Sequence, residues 1–375
     1  MIRRSLLRLA ALLPPLLAAV PSMGQGAPQP ITLRDVAGRE VVLPTPAKRL
    51  LLGEGRLISA VALLEREDPT RVVAGWMGEF RRLDPQGFAQ LAARFPAAER
   101  IPVVGASSAE TFSIERALTA RPDLVVLGLD GHGPGKGSEA EAQFARAGVP
   151  VVFVDFRQDP LNNTLPSIAL LGKALGRDRE AAEYVGFARE HAERIRARLA
   201  EARPTRPAVL MELRAGGTRE CCGSPGRGNL GGLIELAGGD NIGAGVVPGA
   251  LGTLNLEYVV TRDPAVYVAT GGANGEGTQP RIGPGVTPEE ARAALARAVS
   301  RPGVSGLSGV KAGRAHALWH SFYDSPYNLL ALEALARWLH PELFADIDPA
   351  ATLAEMNRRF LPNLPLEGTY WVSLR

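Results

Sequence analysis

Lysine is nearly missing from this 375-residue chain. Lys48, Lys136, Lys173 and Lys311 are the only ones, so the 42 basic residues are almost all arginine. Alongside 42 glycines and 30 prolines, that is the bias of GC-rich coding, and an arginine alone is a weak pointer to an anion site. Cysteine is rarer still. Cys221 and Cys222 are adjacent and are the whole complement, which excludes a disulfide scaffold and any spaced Cys/His metal set. There is no Gly-x-Ser-x-Gly elbow and no His-Glu-x-x-His, and the five histidines show no triad spacing. The glycine-rich run after DLVVLG lacks the Gly-Lys-Ser/Thr of a phosphate loop, since Gly137 follows Lys136. Nucleotide binding is thereby disfavoured, and catalysis finds no support.

Long apolar runs are also lacking, except at the start. There Arg3, Arg4 and Arg8 precede an apolar stretch from Leu9 to Val20, with small residues near Ser22 to Gly24. This is the layout of a cleaved signal peptide, expected over residues 1–26, with Arg3-Arg4 compatible with twin-arginine export. No cysteine precedes Cys221, so a lipoprotein anchor at this end is not expected. Losing those three arginines brings the basic residues level with the 39 acidic ones. A neutral mature chain lacks the basic footprint that nucleic acid requires.

What is present is a repeated β-then-α alternation. The apolar runs 49–53, 71–76, 102–106, 123–128 and 150–156 each precede a loop and a helical stretch. The pattern restarts at 208–213, 265–270 and 315–320, after a small hairpin at the outset around Ala37-Gly38. Between the two series, residues 178–203 contain no proline and place Tyr184, Ala188, His191, Ile195 and Leu199 on one helical stripe. At 1.5 Å per residue that helix spans roughly 37 Å. The expected fold is α/β: two lobes, each with a mainly parallel helix-flanked sheet, joined by one long helix. The expected divisions are 31–161, a connecting segment 162–206, and 207–375. A further echo joins the halves: TFSIERALTARPDLVVLG (111–128) matches TLNLEYVVTRDPAVYVAT (253–270), each with a glutamate in the first helical turn.

The opening ITLRDVAGREVVLPTPAKRL, then SIERALTARPDLVV, SIALLGKALGRDREA, GNLGGLIELAGGDNIG, LNLEYVVTRDPAVYVA and HSFYDSPYNLLALEALARWLHPELFADIDP follow one another along the mature chain. In that order they resemble the periplasmic solute-binding proteins of ABC importers, in the class for iron–siderophore complexes, haem and cobalamin. The loop LLGEGRLIS departs from the Ser/Thr-rich turn of many relatives. The resemblance implies a class III binding-protein fold and a monomer that is not an enzyme. It also implies a periplasmic location, partnership with a permease dimer and its ATPase, and an iron chelate as cargo. The alternatives are cobalamin, haem, another metal chelate or an oxyanion on the same scaffold, or a metallochaperone or enzyme. In such proteins each lobe presents a surface glutamate to the permease; the matching positions are Glu115 and Glu257.

Ligands of open parallel sheets lie beyond the carboxyl ends of the strands. The loops there carry Glu54 and Arg56, Trp76 and Met77, Ser107 and Ser108, and Asp130 and His132. The second half adds Arg214, Arg219, Cys221, Cys222, Arg227, Asn274, His320, Tyr323 and Tyr327. An anionic chelate calls for arginines and flat aromatic surface, so Arg56, Arg214, Arg219, Arg227, Trp76, His320, Tyr323 and Tyr327 are the candidate ligand contacts. No cofactor is expected. Direct metal ligation has only His320, Cys221 and Cys222 as weak candidates. The cysteine pair is open to two readings, a vicinal disulfide or buried thiols.

Overall fold

The computed structural model describes residues 29–217, 221–275 and 277–375. The expected leader and Arg219 lie outside the described residues. Strands β1 (Ile31–Arg34) and β2 (Glu40–Leu43) pair as an antiparallel hairpin around Ala37-Gly38. Gly38 sits at φ 81°, a conformation that costs a side-chain-bearing residue and not glycine.

The first sheet contains β3 (Leu50–Leu52), β4 (Val73–Met77), β5 (Val103–Gly105), β6 (Leu124–Gly128) and β7 (Val151–Val154). All pairings are parallel and the order is β5-β4-β3-β6-β7. These strands read as unbroken apolar runs because helices cover both faces of a parallel sheet. Two helices follow, Pro160–Leu175 and Asp178–Ala202, separated by Gly176 in the left-handed conformation at φ 66°.

Beyond them come β8 (Ala208–Glu212), β9 (Gly223–Pro225), β10 (Asp240–Asn241), β11 (Leu251–Thr253) and β12 (Val266–Gly271). The series ends with β13 (Gly283–Pro284), β14 (Ala315–Trp319), β15 (Gly368–Thr369) and β16 (Trp371–Ser373). The second five-stranded sheet has the order β10-β8-β12-β14-β16 and is parallel except for β16, which runs antiparallel to β14. β9 with β11, and β13 with β15, form two-stranded ribbons.

The sequence echo is an architectural one. β6 flanks β3, the first strand of its sheet, and β12 flanks β8, the first strand of the other. Each repeated unit is a helix, Ile114–Thr119 or Leu256–Arg262, leading into that flanking strand. One hydrophobic cluster crosses the whole molecule, from Leu33 and Leu50 through Tyr184 and Ile195 of the long helix to Leu318, Phe322 and Tyr370. Tyr184 packs edge-on against Phe360 at 5.3 Å and donates its hydroxyl to the Pro326 carbonyl at 2.5 Å. Each large apolar side chain so buried contributes about 1.5–3 kcal/mol. The long helix is thus held by the cores it joins. Among the described residues no helix is long and apolar enough to cross a membrane.

Candidate binding cleft

The carboxyl ends of both sheets converge on a cleft of about 970 Å³. His132 follows β6, Arg157 follows β7, Glu212 to Arg214 follow or end β8, Asn274 follows β12, and His320 and Tyr323 follow β14. All of them line the cleft, together with Leu83, Gly216, Gly217, Gly223 and strand β11.

Arg157 is the basic cleft residue that the reading of strand-end loops missed. Its position is set by Asp155, a buried carboxylate that ends the β7 run. Asp155 accepts the backbone N–H groups of Arg157 at 2.9 Å, Gln158 at 2.7 Å and Asp159 at 2.9 Å. Across the lobe boundary, Asn229 Nδ2 donates to the Arg157 carbonyl at 2.9 Å. The guanidinium lies 5.5 Å from the centre of the Tyr323 ring, a cation–π distance. Its Nε and Nη1 are buried and have no hydrogen-bond partner among the described residues. The signal was available: Arg157 directly follows the run 150–156.

Arg214 and His320 meet at Thr270. The Thr270 hydroxyl accepts the Arg214 N–H at 2.9 Å and is hydrogen-bonded to His320 Nδ1 at 2.9 Å. The His320 ring tilts against Tyr323, centroids 4.7 Å apart. Burial, reinforced by Arg214, Arg56 and Arg157, holds the His320 pKa well below the usual histidine range. His132 is pushed down to about 3 by burial and by Arg56, Arg157, Arg214 and Arg82. Both imidazoles are therefore neutral at ordinary pH, leaving the positive charge of the cleft to its arginines.

Four sequence candidates lie elsewhere. Arg56 is a correction. It is buried in a cluster of opposite charge, with Nη2 2.6 Å from Asp324 and 3.4 Å from Glu54, and Nε 3.9 Å from Glu79. Its Nη1 donates to the Tyr323 hydroxyl at 3.2 Å. Burial opposes the Arg56 charge, but Asp324, Tyr323, Glu54 and Glu79 outweigh it, and of these Asp324 and Tyr323 lie across the lobe boundary. Its three carboxylates are all raised in pKa by burial, Glu54 to about 8. Gly131 lets the next loop close over this cluster: a Cβ there would collide with Glu54 Oε1, which accepts the His132 N–H at 3.0 Å. Tyr327 is a second correction. Its hydroxyl donates to the Ser59 carbonyl at 3.1 Å, and with Arg56 it lines a separate cavity of about 70 Å³. Trp76 belongs to the core, edge-on to Phe88 at 6.1 Å. Arg227 is exposed and does not line the cleft. Ser325-Pro326, a pair whose residue types suit a helix start, does not open one. The helix begins at Asn328, after a 3₁₀ turn over His320–Asp324 and an extended Ser325.

Cys221 and Cys222 are joined in a disulfide beside Glu212, in the loop that ends at Gly223 of the cleft wall. Glu212 Oε1 accepts from Arg301 Nη1 at 2.9 Å, and its Oε2 accepts from the Tyr267 hydroxyl at 2.6 Å. Glu115 and Glu257 are exposed, each in the first turn of its helix. Ser113 and Asn255 cap those turns by accepting the N–H groups of Arg116 at 3.3 Å and Glu257 at 2.7 Å.

Two opposed α/β lobes, joined by one helix and enclosing a cleft at their strand ends, define a solute-binding fold of class III. Residues 55–315 match the family model described as periplasmic binding protein, and the chain belongs to that family. No curated protein matches it. Among solved structures it is similar to a TroA-like periplasmic binding protein, FepB, from Veillonella parvula, with 28% identity and a TM-score of 0.83. That alignment covers 92% of this chain and 100% of the other. The molybdate periplasmic binding protein MolA of Haemophilus influenzae, solved with molybdate, shares 17% identity at a TM-score of 0.67, over 90% and 99% of the chains. A protein of an ABC-type Fe3+-hydroxamate transport system from Saccharomonospora viridis shares 20% at 0.56, over 82% and 98%. Proteins of this family bind solutes in the periplasm and work with the permease and ATPase of an ABC transporter.

Proposed function

We propose that this chain captures an anionic ferric chelate of the siderophore type in the cleft and delivers it to an ABC permease, without chemical conversion. The observation that carries this reading is Arg157, which lines the cleft with its guanidinium against the Tyr323 ring. A guanidinium on an aromatic platform suits the flat, negatively charged arms of catecholate or carboxylate chelators. Arg214 adds a second arginine to the same wall, and His132 and His320, being neutral, offer hydrogen bonds without charge. A volume of about 970 Å³ suits such a chelate and far exceeds what a bare oxyanion fills. The similar proteins named above carry different cargo, so the cargo class rests on this chain's own cleft. Docking at Glu115 and Glu257, export by residues 1–26 and a monomeric state complete the reading.

The test is a thermal-shift panel of ferric catecholate, carboxylate and hydroxamate chelates, haem, cobalamin, molybdate and free metal ions. A ligand at a hundred times its dissociation constant adds about 2.7 kcal/mol of stability, a readily measured shift. Stabilisation by an anionic ferric chelate is expected. A shift with haem, cobalamin or molybdate alone would replace this cargo assignment, and conversion of any ligand would end the binding-only reading.

A further inference from the structure

We propose that Cys221 and Cys222, once reduced, form with Glu212 a site for one thiophilic metal cation in the wall of the cleft, independent of the cargo held there. A carboxylate oxygen of Glu212 and the two sulfur atoms lie within 4.8 Å of one another. Two thiolates and a carboxylate around one point are a donor set for a soft or borderline divalent ion. Thiolates sharing one zinc-sized ion stand roughly 3.8 Å apart, within reach of side-chain rotation once the sulfurs are no longer bonded.

The surroundings are built to keep this geometry. Glu212 is oriented by the Arg301 fork and by the Tyr267 hydroxyl: Oε2 accepts from both Arg301 Nη2 and Tyr267, while Oε1 accepts only from Arg301 Nη1 at 2.9 Å and retains a lone pair for a metal. Cys222 is fully buried, and its backbone is fixed on both sides: its N–H donates to the Leu254 carbonyl at 3.0 Å and its carbonyl accepts the Leu254 N–H at 2.8 Å. The peptide backbone therefore stays in place when the sulfurs part. Cys221 is only half-buried, and Leu213, Arg214 and Gly223 of the same loop line the cleft, which gives reductant and ion a way in.

In the disulfide neither sulfur is a thiolate, and the site does not exist. A dithiol reductant opens it by exchange: two electrons and two protons pass to the protein, the sulfur–sulfur bond breaks, two thiols form, and the reductant closes into its own disulfide. Binding of the cation then displaces both thiol protons to solvent. The oxidation state of one residue pair thereby decides whether the cleft wall carries a metal.

The experiment uses the mature protein, reduced with dithiothreitol, desalted without oxygen and titrated with Cd²⁺ while the ultraviolet thiolate-to-cadmium band is followed. A band saturating at one Cd²⁺ per chain is expected, absent from the disulfide form and absent from Cys221→Ser. Glu212→Gln should keep the band and weaken affinity by about tenfold. Because that change also removes a partner of Arg301, folding of the variant is checked by circular dichroism, and the wild-type comparison stands without it. No band in the reduced wild type, or an equal band in Cys221→Ser, would overturn the proposal. Unchanged affinity in a folded Glu212→Gln would remove the carboxylate from the site and overturn it in that form.

Discussion

Arg56 reaches across the lobe boundary to Asp324, with Nη2 2.6 Å from Oδ2, and so ties the loop after β3 to the turn after β14. Removing one partner of a buried ion pair typically costs about 3–5 kcal/mol, because the other charge stays buried alone. Arg56→Met is expected to lose that much at pH 8, measured by urea unfolding. The loss should shrink at pH 5, where the remaining carboxylates take up protons. A loss under about 1 kcal/mol at pH 8 would show that the cluster does not hold the lobes.

The pH dependence of stability follows from the same cluster. Burial, then Asp324, raises the Glu54 pKa from 4.5 to about 8. Between those values the folded chain holds a proton that the unfolded chain has released. This contribution is complete below about 4.5 and is lost as pH rises through 8. His132 and His316, both pushed down to about 3 chiefly by burial, act in the opposite sense, and their contribution is lost as pH falls from 6.5 toward 3. Above 6.5 only the acid slope remains. Wild type should therefore lose stability between pH 6.5 and 8, by up to about 1.4 kcal/mol per pH unit for one proton. Glu54→Gln should lose less, in urea melts across that range. Parallel profiles would refute the assignment.

Arg157→Met separates binding from folding. Nε and Nη1 have no partner to lose among the described residues, so stability should fall by no more than about 1 kcal/mol, the worth of the Tyr323 ring contact. Affinity for an anionic ferric chelate should fall about ten- to a hundredfold, or 1.4–2.8 kcal/mol. Calorimetric titration beside a urea melt distinguishes the two effects. Undiminished affinity would place the chelate elsewhere in the cleft.

The pair Glu115→Lys and Glu257→Lys changes only exposed first-turn carboxylates. Uptake by whole cells should drop about tenfold or more, while chelate affinity stays within about twofold, since rim charges govern encounter with a partner. Lost chelate binding would contradict their docking role.

Much of the frame was legible. The eight apolar runs read as strands are strands, and the long helix ends at Ala202, one residue short of its expected end. β16 was not legible because three residues, Trp371–Ser373, carry no period, and their pairing with β14 is made only in space. At the site, Arg56 and Arg214 look alike in one dimension, each an arginine in a loop after a strand. What separates them is Glu79 and Asp324, one 23 and the other 268 residues from Arg56, which no local pattern connects. Trp76 was misread for a related reason: at a strand end, alternation does not say which face meets solvent and which meets Phe88.

The cluster that runs from Leu33 and Leu50 to Leu318 and Tyr370 makes one cooperative body of the two lobes. Loosening either lobe bares apolar surface of the other, so urea should unfold both in a single transition rather than in two.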